Sequence, residues 1–150
     1  MKVVLQTVKS AHVNILGKTV GSISNGYLLL VGFTDGDDEE IVRKMVDKIL
    51  KLRVFADENR KINLSLFDVK GDILSISQFT LYASTKDGNR PSFVDAMEPH
   101  KASDLYDYFN KKFEETDIKI EKGIFGADMK VSFTNDGPFT LIIDSKDMKL

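Results

Sequence analysis

The sequence predicts a single α/β domain in which a mainly antiparallel sheet carries two principal helices. Runs with strand-type alternation outnumber amphipathic helical runs. Turn signals at Ser24-Asn25-Gly26 and Asn135-Asp136-Gly137 favour antiparallel pairing, unlike the sheet of a doubly wound nucleotide-binding domain. A length of 150 residues with 42% hydrophobic content suits one domain with a sizeable core. We therefore expect one domain over residues 1–150.

The strand signal occurs in segments rich in β-branched and aromatic residues. These segments are Val3–Val8, Val20–Ile23, Tyr27–Phe33, Arg53–Phe55, Ile73–Thr80, Ile118–Glu121, Lys130–Thr134 and Phe139–Asp144.

Two segments have the apolar spacing of helices. In the first, Asp37 is expected to be the N-cap with Glu40 in the capping-box position. Its apolar stripe is Ile41, Val42, Met45, Val46, Ile49 and Leu50. The second helix is expected to begin after Pro99, with Ala102, Leu105, Phe109 and Phe113 on one face. Both stripes are expected to pack in the core.

Composition excludes several classes of protein. The sequence has no apolar stretch of roughly 18 residues, and its start becomes polar too soon for a signal peptide, which predicts a soluble, cytoplasmic protein. With no cysteine it has no disulfides, catalytic thiol or thiolate metal site. His12 and His100 lie beside no nucleophile or further ligand at diagnostic spacing, so we expect surface or packing roles for both. There is no phosphate-binding glycine loop, and neither a cofactor nor a metal is implied.

Polar groups end a largely apolar strand at Ser77-Gln78-Phe79-Thr80. Hydroxyl and amide groups are costly to bury without partners, which indicates that they line a cavity, a bend or an interface. The alternative is a polar strand end that bonds to neighbouring backbone.

A second motif is Asn135-Asp136-Gly137-Pro138-Phe139-Thr140, in which Gly137-Pro138 interrupts the last predicted strand region. Proline cannot donate to a sheet ladder and restricts the residue before it, so an unusual backbone turn is required here. A cis bond is plausible at a Gly-Pro step. The alternative is a plain turn without any chemical role.

These two motifs, with Lys86–Phe93 and Gly123–Met129 between them, resemble the D-aminoacyl-tRNA deacylases, and the resemblance runs from Met1 almost to Leu150. It implies a curved, partly barrel-like sheet of the D-aminoacyl-tRNA deacylase type. It also implies a homodimer that hydrolyses the ester joining a D-amino acid, and in some members glycine, to the acceptor end of tRNA.

The resemblance assigns catalytic roles to Ser77, Gln78, Phe79 and Thr80. Backbone N–H groups around Phe79 and Thr80 are candidates to stabilise the oxyanion, and Ser77 and Gln78 are candidates to orient the reactants. The Thr80 hydroxyl would contact water or substrate, with direct attack by Thr80 as an alternative. The ribose hydroxyl of the substrate is a further candidate to assist water.

The resemblance also assigns substrate-binding residues. A cis Gly137-Pro138 step would aim two carbonyls into the pocket, where they bind the substrate amine and exclude an L side chain. In the family this loop comes from the partner subunit. Ala102 is expected to border the pocket, and Phe125 and Met129 to form its walls or to pack in the core or interface.

A formal net charge of −2 argues against binding along much of a phosphate backbone. RNA contacts should therefore be local. The candidates for these contacts are Lys9, Lys18, Lys86 and Arg90. Lys86 and Arg90 are favoured because they follow the polar strand end. The alternative for each of the four is a solvated surface charge without a role in binding.

The sequence departs from the family at two places. Relatives commonly have Gln-Arg-Val where this sequence has Gln6-Thr7-Val8, so a guanidinium expected to brace the Gly-Pro loop is missing. Arg60 also occupies a turn position where glycine is common. Two other functions stay open: a general esterase or peptidase that uses Thr80 as nucleophile, and a homodimeric binding module without catalysis.

Overall fold

The computed structural model describes residues 1–149. Two helices are present in this range, α1 (Glu39–Lys51) and α2 (Pro99–Glu114). The strands are β1 (Lys2–Ile15), β2 (Lys18–Ile23), β3 (Gly26–Gly32), β4 (Arg53–Ala56), β5 (Ile62–Ser65), β6 (Asp72–Ser77), β7 (Ile120–Lys122) and β8 (Lys130–Asp144).

The long strand β1 organises the main sheet. Its first half pairs with β3 and its second half with β2, while β8 runs antiparallel along most of its other edge. Strands β3, β6 and β7 are parallel neighbours. The sheet is therefore mixed, with antiparallel pairing around β1, and it curves toward a partly closed barrel. The predicted fold class is confirmed.

Two apolar clusters stabilise the curved sheet. The larger lies between the sheet and the helices, where side chains of α1 and α2 pack against β1 and β3. The smaller lies on the other sheet face and includes Val13, Leu28, Leu74 and Ile76. Because successive strand residues point to opposite faces, Leu74 and Ile76 enter this second cluster while Ile73 enters the first.

Several predicted strand boundaries are wrong. Strand β6 ends at Ser77, and Phe79–Tyr82 form a 3₁₀ turn. Strand β5 was not predicted, and β8 is one strand where two were expected. The segment Ser24-Asn25-Gly26 does not close a hairpin, since β2 and β3 each pair with β1. Local turn signals predicted antiparallel pairing correctly but the partners incorrectly.

The first helix is capped by Asp38, whose side chain accepts a 2.9 Å hydrogen bond from the backbone N–H of Ile41. Asp37 is therefore not the cap; it accepts hydrogen bonds from the backbone of Thr34 and the amine of Met1. Pro99 lies inside the first turn of α2, a position that needs no backbone donor. Over residues 1–149, no helix has the length and apolar character to cross a membrane.

The hairpin between β1 and β2 generates a stability prediction. Both turn residues have positive φ, 49° at Leu16 and 78° at Gly17, as in a type I′ turn. Asparagine tolerates this conformation better than leucine, so Leu16→Asn should raise the free energy of unfolding by about 0.5–1 kcal/mol, measured by urea denaturation. The control is Leu16→Ala, since it removes the exposed apolar group and keeps the strained backbone. Equal stabilities of the two variants would contradict the prediction.

Candidate active site

A cavity of about 570 Å³ opens where the parallel strands β3 and β6 end. Its walls come from these strand ends, the segment before α2, the first turn of α2 and the segment that leads into β8. The lining residues are Val31, Gly32, Phe33, Ile76, Ser77, Gln78, Phe79, Phe93, Ala96, Met97, Glu98, Pro99, Ala102, Phe125, Gly126, Ala127, Met129 and Val131. In α/β sheets, ligands bind beyond the carboxyl ends of parallel strands, and this cavity has that position.

A glycine lets the two strand ends approach each other. A Cβ on Gly32 would lie 2.8 Å from the Gln78 carbonyl oxygen and 3.1 Å from the Leu81 Cβ. The backbone N–H of Gln78 also donates to the Val31 carbonyl at 2.7 Å. The chain therefore leaves β6 closely packed on the end of β3. Sequence reasoning missed Gly32, because its role depends on a contact with a distant segment.

The polar segment after β6 forms part of this site. Ser77, Gln78 and Phe79 line the cavity, and Thr80 is the next residue of the 3₁₀ turn. The Gln78 side-chain amide donates a 2.6 Å hydrogen bond to the Thr80 hydroxyl oxygen. This contact occupies a lone pair of the hydroxyl and leaves its proton free to be donated.

The first N–H groups of the 3₁₀ turn have no partner within it, because donors at a helical start lack preceding carbonyls. Gln78 occupies the N-cap position and makes no side-chain capping hydrogen bond. The backbone N–H groups of Phe79 and Thr80 are thus the donors at the start of this turn, beside the cavity. Such donors can stabilise a developing oxyanion.

Of the lining residues within 1–149, Glu98 alone has an acidic or basic side chain. Its carboxylate accepts hydrogen bonds from the backbone N–H of His100 at 2.9 Å and of Lys101 at 3.1 Å, and so caps α2. The N–H of His100, followed by that of Lys101, lowers the pKa of this carboxyl. Glu98 is therefore a poor proton acceptor near neutral pH. His12 and His100 do not line the cavity.

The apolar walls include three residues that the sequence analysis singled out, Ala102, Phe125 and Met129. Ala102 is buried on α2, and Phe125 and Met129 are partly buried in the segment before β8. The mouth includes Phe79 and Phe93, whose rings meet edge to face at 5.2 Å and are 55% and 41% exposed. Sequence reasoning did not identify Phe93, although it lies in one of the segments that resemble the family.

The structure does not bring Gly137 and Pro138 to this cavity. They lie in a bulge of β8, where residues 136–139 stand opposite the single residue Thr7 between two register pairs. The bond between Gly137 and Pro138 is cis. Asp136, Gly137 and Pro138 are exposed, so the tip of this bulge projects from the surface of the chain.

Short polar side chains brace the bulge, and Thr7 is one of them. The buried Thr7 hydroxyl donates to the Asp136 carbonyl at 2.8 Å. Within the bulge, the Asn135 side chain accepts from the backbone N–H of Phe139 at 3.1 Å. The side-chain amides of Asn135 and Gln6 both donate to the Thr140 hydroxyl. The Asn and Thr of the motif therefore hold the bulge closed from its two ends.

The candidate RNA-binding residues Lys86 and Arg90 are exposed in the segment between the 3₁₀ turn and α2. This segment is pinned by paired backbone hydrogen bonds between Ser84 and Ser92 and by the contact of Phe93 with Phe79. Lys86 and Arg90 do not line the cavity. Lys9 and Lys18 are also exposed, on β1 and β2.

Fold and cavity together define an α/β domain with a binding site at the ends of parallel strands. The family model described as D-Tyr-tRNA(Tyr) deacylase matches residues 4–144. D-aminoacyl-tRNA deacylases of Lactobacillus acidophilus and Lactobacillus helveticus are each 58% identical over 144 residues, which cover 96% of this chain and 99% of theirs. The chain belongs to the D-aminoacyl-tRNA deacylase family, a class of ester hydrolases.

Solved structures share the fold. The c-Myc DNA Unwinding Element Binding Protein is 37% identical, with a TM-score of 0.90 over 96% of this chain and 98% of that chain. A probable eukaryotic D-amino acid tRNA deacylase is 22% identical with a TM-score of 0.80, over 95% and 97% of the two chains. The family resemblance in the sequence is thus confirmed.

The bracing of the bulge leads to a local prediction. Thr7→Val removes the hydroxyl that bonds to Asp136, worth about 1 kcal/mol, so amide hydrogen exchange at Phe139, whose N–H donates to Asn135, should become about fivefold faster. Thr7→Ser keeps the hydroxyl and is the matched control, with exchange close to that of the unaltered protein. Unchanged exchange in Thr7→Val would show that the Thr7 hydroxyl does not brace the bulge.

Proposed function

We propose that the protein hydrolyses the ester bond of D-aminoacyl-tRNA, and of mischarged glycyl-tRNA, and so acts in chiral proofreading during translation. The observation that carries the proposal is the joint placement of Ser77, Gln78 and Phe79 with Ala102, Phe125 and Met129 around one cavity. Near-full-length identity of 58% to D-aminoacyl-tRNA deacylases supports the same substrate class.

Hydrolysis at this site would depend on positioning and on backbone donors. The ester carbonyl would accept hydrogen bonds from the N–H groups of Phe79 and Thr80, which stabilise negative charge as water attacks. Gln78 orients the Thr80 hydroxyl, whose free proton can be donated to water or substrate. Among the described residues that line the cavity, Glu98 alone is an acid or base, and it is engaged as a helix cap. The ribose hydroxyl of the substrate would therefore assist the attacking water.

Attack by the Thr80 hydroxyl itself is the less favoured mechanism. A hydroxyl nucleophile needs a partner that accepts its proton. The neighbour of the Thr80 oxygen is the Gln78 amide, which donates a hydrogen bond and cannot act as that base.

The bulge at Gly137 and Pro138 would reject L-aminoacyl esters from the cavity of a second copy of the chain. Its exposed tip and its absence from its own chain's cavity support this placement. Among residues 1–149, strand β8 pairs with β1 and with no other strand, which supports a partner at its other edge. In the resulting homodimer, carbonyl groups of the loop would bind the substrate amine and leave no room for an L side chain, while glycine would still enter.

Contacts with RNA would be confined to the acceptor end. Lys86 and Arg90 are exposed in a segment that contacts the cavity mouth through Phe93, which supports contacts of these side chains with phosphates beside the bound ester. The net charge of −2 is consistent with such a small footprint.

The deciding measurement is hydrolysis of matched D- and L-aminoacyl-tRNA with the same side chain, with glycyl-tRNA alongside, by metal-free protein. We expect rapid loss of the D and glycyl esters while the L ester persists. Gln78→Ala should lower kcat/KM for the D ester by about 10²-fold, because reactant orientation is lost. Equal loss of D and L esters would indicate an unselective esterase, and loss of neither would indicate a binding module. An acyl-enzyme trapped on Thr80 would overturn the positioned-water mechanism.

A mixed dimer tests which subunit supplies the loop. In a heterodimer of a Gln78→Ala chain and a Thr7→Val chain, the intact catalytic segment is on the Thr7→Val chain. If the loop comes from the partner, this site receives a normally braced loop and should spare the L ester. We expect the Thr7→Val homodimer to hydrolyse the L ester, because its loop is less firmly braced. If the loop serves its own chain, the heterodimer should hydrolyse the L ester as well.

A further inference from the structure

One buried hydroxyl links the catalytic strand to the second helix. Tyr106 of α2 is 2% exposed, and its hydroxyl donates a 2.8 Å hydrogen bond to the Ser75 carbonyl of β6. The same carbonyl accepts a 3.1 Å hydrogen bond from the backbone N–H of Gly123. A carbonyl oxygen has two lone pairs, so both donors are accommodated. Three separate segments therefore meet at one oxygen atom.

Each of these segments supplies a wall of the cavity. Ser77 and Gln78 lie two and three residues after Ser75, and Ala102 precedes Tyr106 by one helical turn. Phe125 follows Gly123, and its ring centroid lies 6.0 Å from that of Tyr106. Tyr106 itself does not line the cavity, so it acts only through the residues that do.

The hydroxyl is not needed for packing. Phe109 and Phe113 fill the same helix face with bare aromatic rings and are fully buried. A hydroxyl buried among such groups is costly unless it is hydrogen-bonded, and the Ser75 carbonyl supplies that bond. Compared with a phenylalanine at this position, Tyr106 adds a hydrogen bond that fixes the distance between α2 and β6.

We propose that Tyr106 is a positioning residue for ester hydrolysis: it holds the end of β6 so that the donors at Phe79 and Thr80 stay aligned with the substrate bound against Ala102 and Phe125. The inference rests on the proposed function of this cavity. Small displacements of positioned groups lower rates strongly, so one lost tether two residues from Ser77 should be visible in catalysis.

The test is Tyr106→Phe, which removes one oxygen atom. We expect kcat for D-aminoacyl-tRNA to fall about tenfold, with KM changed less than twofold because the contacts to RNA remain. The matched control is Tyr27→Phe. The Tyr27 hydroxyl is buried in the same apolar cluster and has no hydrogen-bond partner among residues 1–149, so its removal should leave kcat unchanged.

Replacement of Tyr106 by 4-aminophenylalanine completes the test, because its amino group can donate to the same carbonyl. Recovery of kcat to within about twofold of the unaltered protein would support the proposal. An unaltered kcat in Tyr106→Phe, or a loss that the amino group does not restore, would overturn it. Gln78→Ala is measured in parallel, so that failure of the proposed site can be distinguished from failure of the Tyr106 proposal. Full activity of Gln78→Ala would contradict the proposed site. Reduced activity of Gln78→Ala with full activity of Tyr106→Phe would contradict only the role of Tyr106.

Discussion

The fold depends on the pairing of β1 on both of its edges. One edge is shared by β3 and β2 in succession, and the other is covered by β8. Strands β3 and β2 pair with successive halves of the same edge of β1 and diverge from it. The sheet therefore curves around β1. The curvature separates two apolar faces, one covered by helices and one turned inward. It also fixes where the bulge of β8 stands, since Thr7 is in the middle of β1.

The cavity and the bulge are consequences of the two kinds of pairing in this sheet. Parallel pairing of β3 with β6 brings two carboxyl ends to one edge, which creates the cavity. Antiparallel pairing of β1 with β8 tolerates extra residues in one strand, which creates the projecting loop. The two features lie apart within one chain, so under the proposed function a complete stereoselective site would require two copies.

Much of this could be predicted from the sequence, for identifiable physical reasons. Apolar residues recur with the helical period in both helices. Gly137-Pro138 indicates an unusual turn because proline cannot donate a backbone hydrogen bond to a neighbouring strand. The hairpin predicted between β2 and β3 was wrong, because strand pairing depends on contacts between distant segments, which turn residues do not determine. The end of β6 was misjudged because Phe79 and Thr80 have good strand propensity, whereas the chain after Ser77 packs closely on Gly32 and turns into a 3₁₀ helix. The roles of Thr7 and Tyr106 depend on single hydrogen bonds to distant carbonyls, which leave no pattern in the sequence.

The capping role of Glu98 has a consequence for the electrostatics of the cavity. Its two backbone donors keep the carboxylate ionised well into the acidic range, and they also orient its charge toward the start of α2. The Glu98 charge therefore stays the same across neutral pH. In the proposed reaction, protonation of this carboxyl group would contribute no pH dependence in that range, so Glu98 would act on a bound ester as a constant negative charge at the edge of the cavity.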